Sequence, residues 1–145
     1  LSYLVTHLSE KGIEVWGDKD IASLCNTIKI ENDAATLCEE YLAPKLYLTL
    51  VDGIQDAINM INRYSGGQTA VIVTNDATNA TEFMQQVDCA AVYHNASSRF
   101  TDGGQFGVGA EIAISTQKLH FRGPLGAQEL VTNKWFVYGN GQIRE

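Results

Sequence analysis

Lys45-Leu46-Tyr47-Leu48-Thr49-Leu50 alternates polar and apolar side chains, the period of a half-buried strand, and it opens the stretch that decides the fold. Asp52 follows as a candidate helix cap, and Ile54, Ala57, Ile58 and Ile61 then recur at helical spacing until Ser65-Gly66-Gly67. Thr69 to Thr74, with Ala-Val-Ile-Val inside, reads as a second strand, short and apolar enough to be buried on both faces. Asn75 or Asp76 caps the next helix, which carries Ala80, Phe83, Met84 and Val87, and Cys89 to Tyr93 forms a third strand. Strand, helix, strand, helix, strand with short connections predicts an α/β fold built on a parallel sheet.

Working outward, Leu1, Leu4, Val5 and Leu8 predict a helix that Gly12 stops, and Ile13 to Trp16 a short strand. Residues 18–32 fit either state. Asp33 to Tyr41 reads as a short helix ended by Pro44. After Tyr93 the pattern changes: residues 95–109 are rich in Gly, Ser, Thr and Asp, with Phe100, Phe106 and Val108 as the larger apolar side chains. A loop leaving the carboxyl end of a parallel strand is where such sheets bind ligands. Leu130 to Tyr138, rich in β-branched and aromatic residues, reads as an extended strand ending at Gly139-Asn140-Gly141.

A net charge of −7 and the lack of a basic stripe argue against a nucleic-acid partner. No apolar run is long enough to span a bilayer. Cys25, Cys38 and Cys89 stand far apart with no Cys-x-x-Cys pair, so we read free thiols, a reducing cytoplasmic compartment and no metal site. The chain lacks an initiator Met and begins within a helical pattern, which reads as a piece of a longer protein.

The run from Val92 to Glu111, Val-Tyr-His-Asn-Ala-Ser-Ser-Arg-Phe-Thr-Asp-Gly-Gly-Gln-Phe-Gly-Val-Gly-Ala-Glu, continues into Ile114-Ser-Thr-Gln-Lys-Leu-His120 and Arg122-Gly-Pro124. It resembles the signature of the γ-glutamyl phosphate reductases, a branch of the aldehyde dehydrogenase superfamily. The likeness extends through Val51–Tyr64 and Thr132–Trp135 and is weakest in residues 18–38. It implies that residues 1–124 are the C-terminal part of an aldehyde dehydrogenase catalytic domain. Residues 125–145 would then be an extended arm whose strand pairs across a homo-oligomer interface; a plainer reading is an edge strand of the chain's own sheet.

The resemblance further implies an NADPH-dependent enzyme that converts γ-glutamyl phosphate to glutamate 5-semialdehyde in proline biosynthesis, with glutamate 5-kinase as a possible partner. In that chemistry a cysteine thiolate attacks the acyl phosphate, phosphate leaves, and hydride reduces the thioester. That cysteine would lie upstream of this chain, so no catalytic residue is assigned here, and Leu24-Cys25-Asn26 does not match the surroundings of the nucleophile. Asn95 through Glu111 would be the substrate-anchoring loop, and Glu40, four residues before Pro44, matches a glutamate that contacts the nicotinamide ribose.

Within the loop, Arg99 is the foremost candidate for substrate contact, because a planar guanidinium grips carboxylate or phosphate at two points. Its plainer role is to clamp loop carbonyls. Asp102 either takes the substrate's ammonium or fixes Arg99. Ser97, Ser98 and Thr101 can donate to an anion or bond their own backbone. Asn95 either caps the turn or faces ligand, and Phe100 either lines the pocket or packs in the core. Gly107 and Gly109, with Gly103 and Gly104, let backbone N–H groups turn toward an anion, or simply supply loop geometry. Glu111 complements a helix N-terminus. The competing function is a non-catalytic small-molecule-binding or assembly domain that keeps the loop and has lost the chemistry.

Overall fold

The computed structural model describes residues 1–110, 112, 117–118 and 121–144; Glu111, its expected helix start, and His120 lie outside the described residues. The described chain divides into two units, Leu1–Ser98 and Arg99–Glu145.

In the first unit the order is α1 (Ser2–Glu10), β1 (Glu14–Gly17), α2 (Lys19–Leu24), β2 (Lys29–Ile30), β3 (Lys45–Leu48), α3 (Ile54–Tyr64), β4 (Thr69–Ile72), α4 (Ala77–Gln86) and β5 (Ala91–His94). All pairings are parallel, but the strands fall into two sheets, β2-β1-β3 and β4-β5. The expected parallel α/β arrangement is present, and its strand order is set by these pairings. β3 is in register with β1 along its whole length, Glu14 opposite Lys45 through Gly17 opposite Leu48. The α3 crossover thus carries the chain from one sheet to the next.

Each sheet has its own core. Under the first lie Val5, Val15, Ile21, Ala22, Cys25 and Ile28, with Leu8 and Leu48 packed against them. Cys25 is buried here and its Sγ lies 3.2 Å from Thr27 Oγ1, the setting of a structural thiol. Under the second lie Ile58, Ala70, Phe83 and Val87, joined by Ile54, Ile61, Ile72 and Val92. Ile54, Ile58 and Ile61 are the apolar face read from the sequence. Gly17 sits where β1 meets α2 and β3: a Cβ there would lie 2.5 Å from Ile21 Cγ2 and 2.7 Å from the Leu48 carbonyl oxygen.

Local chemistry sets the helix starts. Asp18 caps α2 by accepting the Ile21 N–H at 2.9 Å and also accepts the Thr49 hydroxyl, so one carboxylate joins α2 to the end of β3. Burial would raise its pKa, but the bonds from the Ile21 N–H, the Thr49 hydroxyl and the Asp20 N–H outweigh that and hold it below the usual carboxylate range. Asp76 caps α4 through Thr78 N–H at 2.8 Å and Asn79 N–H at 3.0 Å. Asp52 does not cap α3; Gly53 occupies that position with no side-chain bond.

Two further expectations are corrected. Asp33–Tyr41 yields only a 3-10 turn, Ala34–Cys38, so Pro44 ends nothing. β4 is not buried on both faces: only Ala70 is fully buried, and Val73 just beyond is 84% exposed.

In the second unit, Ile112 and Leu125 form an antiparallel bridge and Ala127–Leu130 a 3-10 turn, where Glu129 Oε2 accepts the Gly126 N–H at 2.7 Å. Residues 131–139 form no strand, against the sequence pattern, and pair with nothing among the described residues. Trp135, Val137 and Tyr138 are 84%, 86% and 93% exposed.

Candidate functional site

The anchoring stretch begins where β5 ends. Asn95 adopts the left-handed region at φ 52°. Asparagine tolerates this conformation better than most residues because its short polar side chain bonds locally. Its Oδ1 accepts the Thr74 N–H at 3.0 Å and its Nδ2 donates to the Thr74 carbonyl at 2.9 Å. The Asn95 N–H bonds the Ile72 carbonyl at 2.9 Å, and His94 Nε2 lies 3.0 Å from the same Thr74 carbonyl. The β5 exit is thus stitched to the end of β4 at several points. Of the two roles open to Asn95, its amide is engaged in holding the turn. Thr74 and His94 were not singled out from sequence, because their meeting depends on the parallel pairing of β4 with β5. Ser97, Ser98 and Arg99 follow as exposed residues, and Ser98–Phe100 forms a 3-10 turn.

In the second unit, Asp102 organises the glycine turn. Its Oδ1 accepts the Gly104 N–H at 2.8 Å and the Gln105 N–H at 3.0 Å, while its carbonyl accepts the Phe106 N–H at 3.0 Å. The Val108 N–H bonds the Gly103 carbonyl at 3.0 Å and the Gly107 N–H the Gly104 carbonyl at 3.2 Å. The amides of Gly104, Gln105, Gly107 and Val108 therefore close on the loop itself, and the Asp102 carboxylate supplies the anion. This role was legible in principle: aspartate two and three residues before free N–H groups is a common turn device. Gly107 (φ 72°) and Gly109 (φ 75°) have open space where a Cβ would stand, so backbone conformation rather than crowding demands glycine there. Thr101 is half-buried and Phe100 is 52% exposed, so Phe100 is not a core residue of the described chain.

Glu40 is exposed in the loop between the Ala34–Cys38 turn and β3, and its carboxylate takes no hydrogen bond or ion pair among the described residues. The neighbouring Tyr41 donates its hydroxyl to the Thr36 carbonyl at 3.1 Å, and Leu42 beyond it stands at φ 47°. Burial raises the Tyr41 pKa, with Glu39 and Glu31 adding to the effect, so the phenol stays protonated and able to donate at neutral pH.

An open groove of about 600 Å³ lies between α2, the β3–α3 connection and α3, lined by Asp20, Asp52, Asp56, Arg63 and their neighbours. It contains none of the residues singled out for the site. No group of three or more metal-ligating side chains occurs among the described residues. No helix among them is long and apolar enough to cross a membrane.

Residues 26–110 match the aldehyde dehydrogenase family. A γ-glutamyl phosphate reductase of Clostridium botulinum (strain Alaska E43 / Type E3) is 49% identical over 99% of this chain and 34% of its own length. One from Desulforamulus reducens is 47% identical over 97% of this chain and 34% of its own. The crystal structure of γ-glutamyl phosphate reductase from Thermotoga maritima superposes with a TM-score of 0.91 at 41% identity, covering 99% of this chain and 34% of that one. The chain spans about a third of the length of these relatives.

Proposed function

The chain belongs to the aldehyde dehydrogenase family, and we propose that it is the substrate-anchoring part of an NADP(H)-dependent reductase that interconverts γ-glutamyl phosphate and glutamate 5-semialdehyde. The observation that carries this reading is 49% identity across 99% of the chain to a protein of that name. Local geometry in each unit supports it: Asn95 fixes the exit of β5 in the first unit, and Asp102 fixes the glycine turn in the second. Arg99 is our candidate for gripping the substrate's carboxylate or phosphate, with Ser97, Ser98, Thr101 and the Gly107–Gly109 backbone beside it. Asn95, Phe100 and Asp102 act in this reading by shaping the loop.

A nicotinamide cofactor would supply the hydride when bound. The residue of this chain that fits such a group is Glu40, whose exposed carboxylate can accept a ribose hydroxyl. Residues 1–124 would serve the catalytic domain and 125–145 an arm that joins copies in a homo-oligomer. A cytoplasmic setting and association with glutamate 5-kinase belong to the same proposal.

The test uses the whole protein that carries this chain, assayed for phosphate-dependent oxidation of glutamate 5-semialdehyde by NADP⁺. Arg99→Ala should lower kcat/KM for the semialdehyde about ten- to a hundredfold, since a hydrogen bond to a charged group contributes about 1.5–3 kcal/mol. The KM for NADP⁺ should hold. A change within about twofold removes Arg99 from the site. Absence of the activity in the unmutated protein would leave the non-catalytic binding domain as the better reading.

A further inference from the structure

Alternation along the first sheet puts Val15, Gly17 and Leu48 toward the core and Glu14, Trp16, Lys45 and Tyr47 on the opposite face. On that face Lys45 Nζ lies 4.4 Å from the Trp16 ring centroid and 4.2 Å from that of Tyr41. One ammonium therefore sits against two aromatic rings, both well within cation–π range. The stack is anchored at each end. Trp16 Nε1 donates to Glu14 Oε2 at 3.0 Å, and Glu14 Oε1 pairs with Lys29 Nζ at 3.0 Å. Tyr41 donates to the Thr36 carbonyl at 3.1 Å.

Glu40 immediately precedes Tyr41, so the backbone that bears it is bounded by the Thr36 bond and the Lys45 stack. On the far side, Leu42 stands at φ 47° while 88% exposed. A leucine keeps that conformation only where its surroundings over-determine it. The bond from the Lys45 N–H to the Ala43 carbonyl at 2.7 Å and that from the Glu14 N–H to the Pro44 carbonyl at 2.8 Å complete the restraint. The Glu14 bond is the first rung of the β1–β3 ladder, whereas simple loop closure would require neither the Tyr41 bond to Thr36 nor the Lys45 stack.

We propose that Lys45, acting with Trp16 and Tyr41, is a positioning residue that fixes Glu40 for its contact with the cofactor ribose. The inference rests on the reading of Glu40 given under the proposed function. Lys45 touches no ligand in this scheme and acts through Tyr41. Each exposed cation–π contact corresponds to about a two- to fivefold shift of an equilibrium, so losing both bears on the loop by about five- to thirtyfold.

The experiment uses the whole enzyme carrying this chain, with NADP⁺ and glutamate 5-semialdehyde as probes. Lys45→Met should weaken NADPH binding to the substrate-free enzyme, read by nucleotide fluorescence, and raise the KM for NADP⁺, both about fivefold or more, with kcat and the KM for the semialdehyde within twofold. Lys45→Arg, which keeps a stacked cation, should restore the NADP⁺ KM to within twofold of wild type. Glu40→Gln should raise the same KM, and Lys45→Met added to it should cause no further loss, because both act on one contact. Multiplying effects in the double variant overturn the proposal, as does an unchanged NADP⁺ KM in Lys45→Met while Glu40→Gln is impaired; in both cases the Glu40 reading stands. A silent Glu40→Gln removes that reading and the proposal with it. Should Lys45→Met fail to fold, Tyr41→Leu removes the ring through which Lys45 acts; NADPH binding and an NADP⁺ KM within twofold there also overturn the proposal.

Discussion

Asn95→Ala is the substitution whose consequence can be worked most fully from the structure. It removes two hydrogen bonds to Thr74, of 3.0 and 2.9 Å, and forces alanine into a backbone at φ 52°. Neutral hydrogen bonds contribute about 0.5–1.5 kcal/mol each. The left-handed conformation costs an ordinary residue about 1–2 kcal/mol. Together these put the local destabilisation at about 2–5 kcal/mol. Native-state amide exchange reads it directly, because local opening is measured whether or not the chain unfolds in one step. The Thr74 N–H, bonded to Asn95 Oδ1, and the Asn95-position N–H, bonded to the Ile72 carbonyl, are the reporters. Their exchange should quicken about 30- to 4,000-fold, at about 1.4 kcal/mol per decade. Asn95→Gly separates the two causes: it loses the same bonds but meets no left-handed penalty, against an entropic cost of about 0.4–1 kcal/mol in the unfolded chain. Glycine should therefore be the milder change by roughly 0.5–1 kcal/mol. Exchange at Thr74 within about threefold of wild type in the alanine variant would refute the stitching argument, and glycine proving worse than alanine would refute its backbone half.

Asp18→Ala should cost about 1–2 kcal/mol at pH 7 by removing the α2 cap and the Thr49 contact. Because the folded-state pKa of Asp18 is lowered, its contribution is fully present above the unfolded value, near 3.9, and is lost as pH falls through the folded one. The gap in urea midpoints between wild type and variant should hold from pH 7 to 5 and close on further acidification; a gap that widens instead would mean the carboxylate is not the stabilising form. Removing residues 131–145 from the whole protein spares the Glu129–Gly126 bond and should lower the oligomeric state or cause aggregation, as light scattering would show. A soluble, unchanged oligomer would place the interface elsewhere.

The elements from residue 45 to 94 were legible because their signals are local. Ile54, Ile58 and Ile61 mark one helix face by spacing alone, and Asp76 stands directly before the helix it caps. What could not be read was which strand lies beside which. β3 chooses β1, 31 residues upstream in register, rather than β4, and a period-2 pattern says only that a strand has two faces. The same limit hid the stack on Lys45. Alternation put Lys45 on the polar face, but its two rings come from residues 16 and 41, and only the folded sheet brings them together. Asp52 was misread for a different reason. It has the right chemistry one residue too early, and Gly53 in extended backbone takes the cap position without a side-chain bond.

The loop and the tail show the two ways in which a correct residue pattern can stop short of a structural role. Asp102 was weighed only against ligand and Arg99, whereas its carboxylate also accepts the Gly104 and Gln105 amides, which lie within three residues and cost little chain entropy to reach. The local partner holds it in this structure. Residues 131–138 present the reverse case, a strand-forming composition that pairs with no strand among the described residues. Val131, Trp135, Val137 and Tyr138 stay 74–93% exposed. A stretch of that composition with unpaired backbone is an association hazard unless another chain segment covers it. Its composition therefore argues for a partner outside the described residues, and the physical demand is for a sheet edge that can supply the missing N–H and C=O groups.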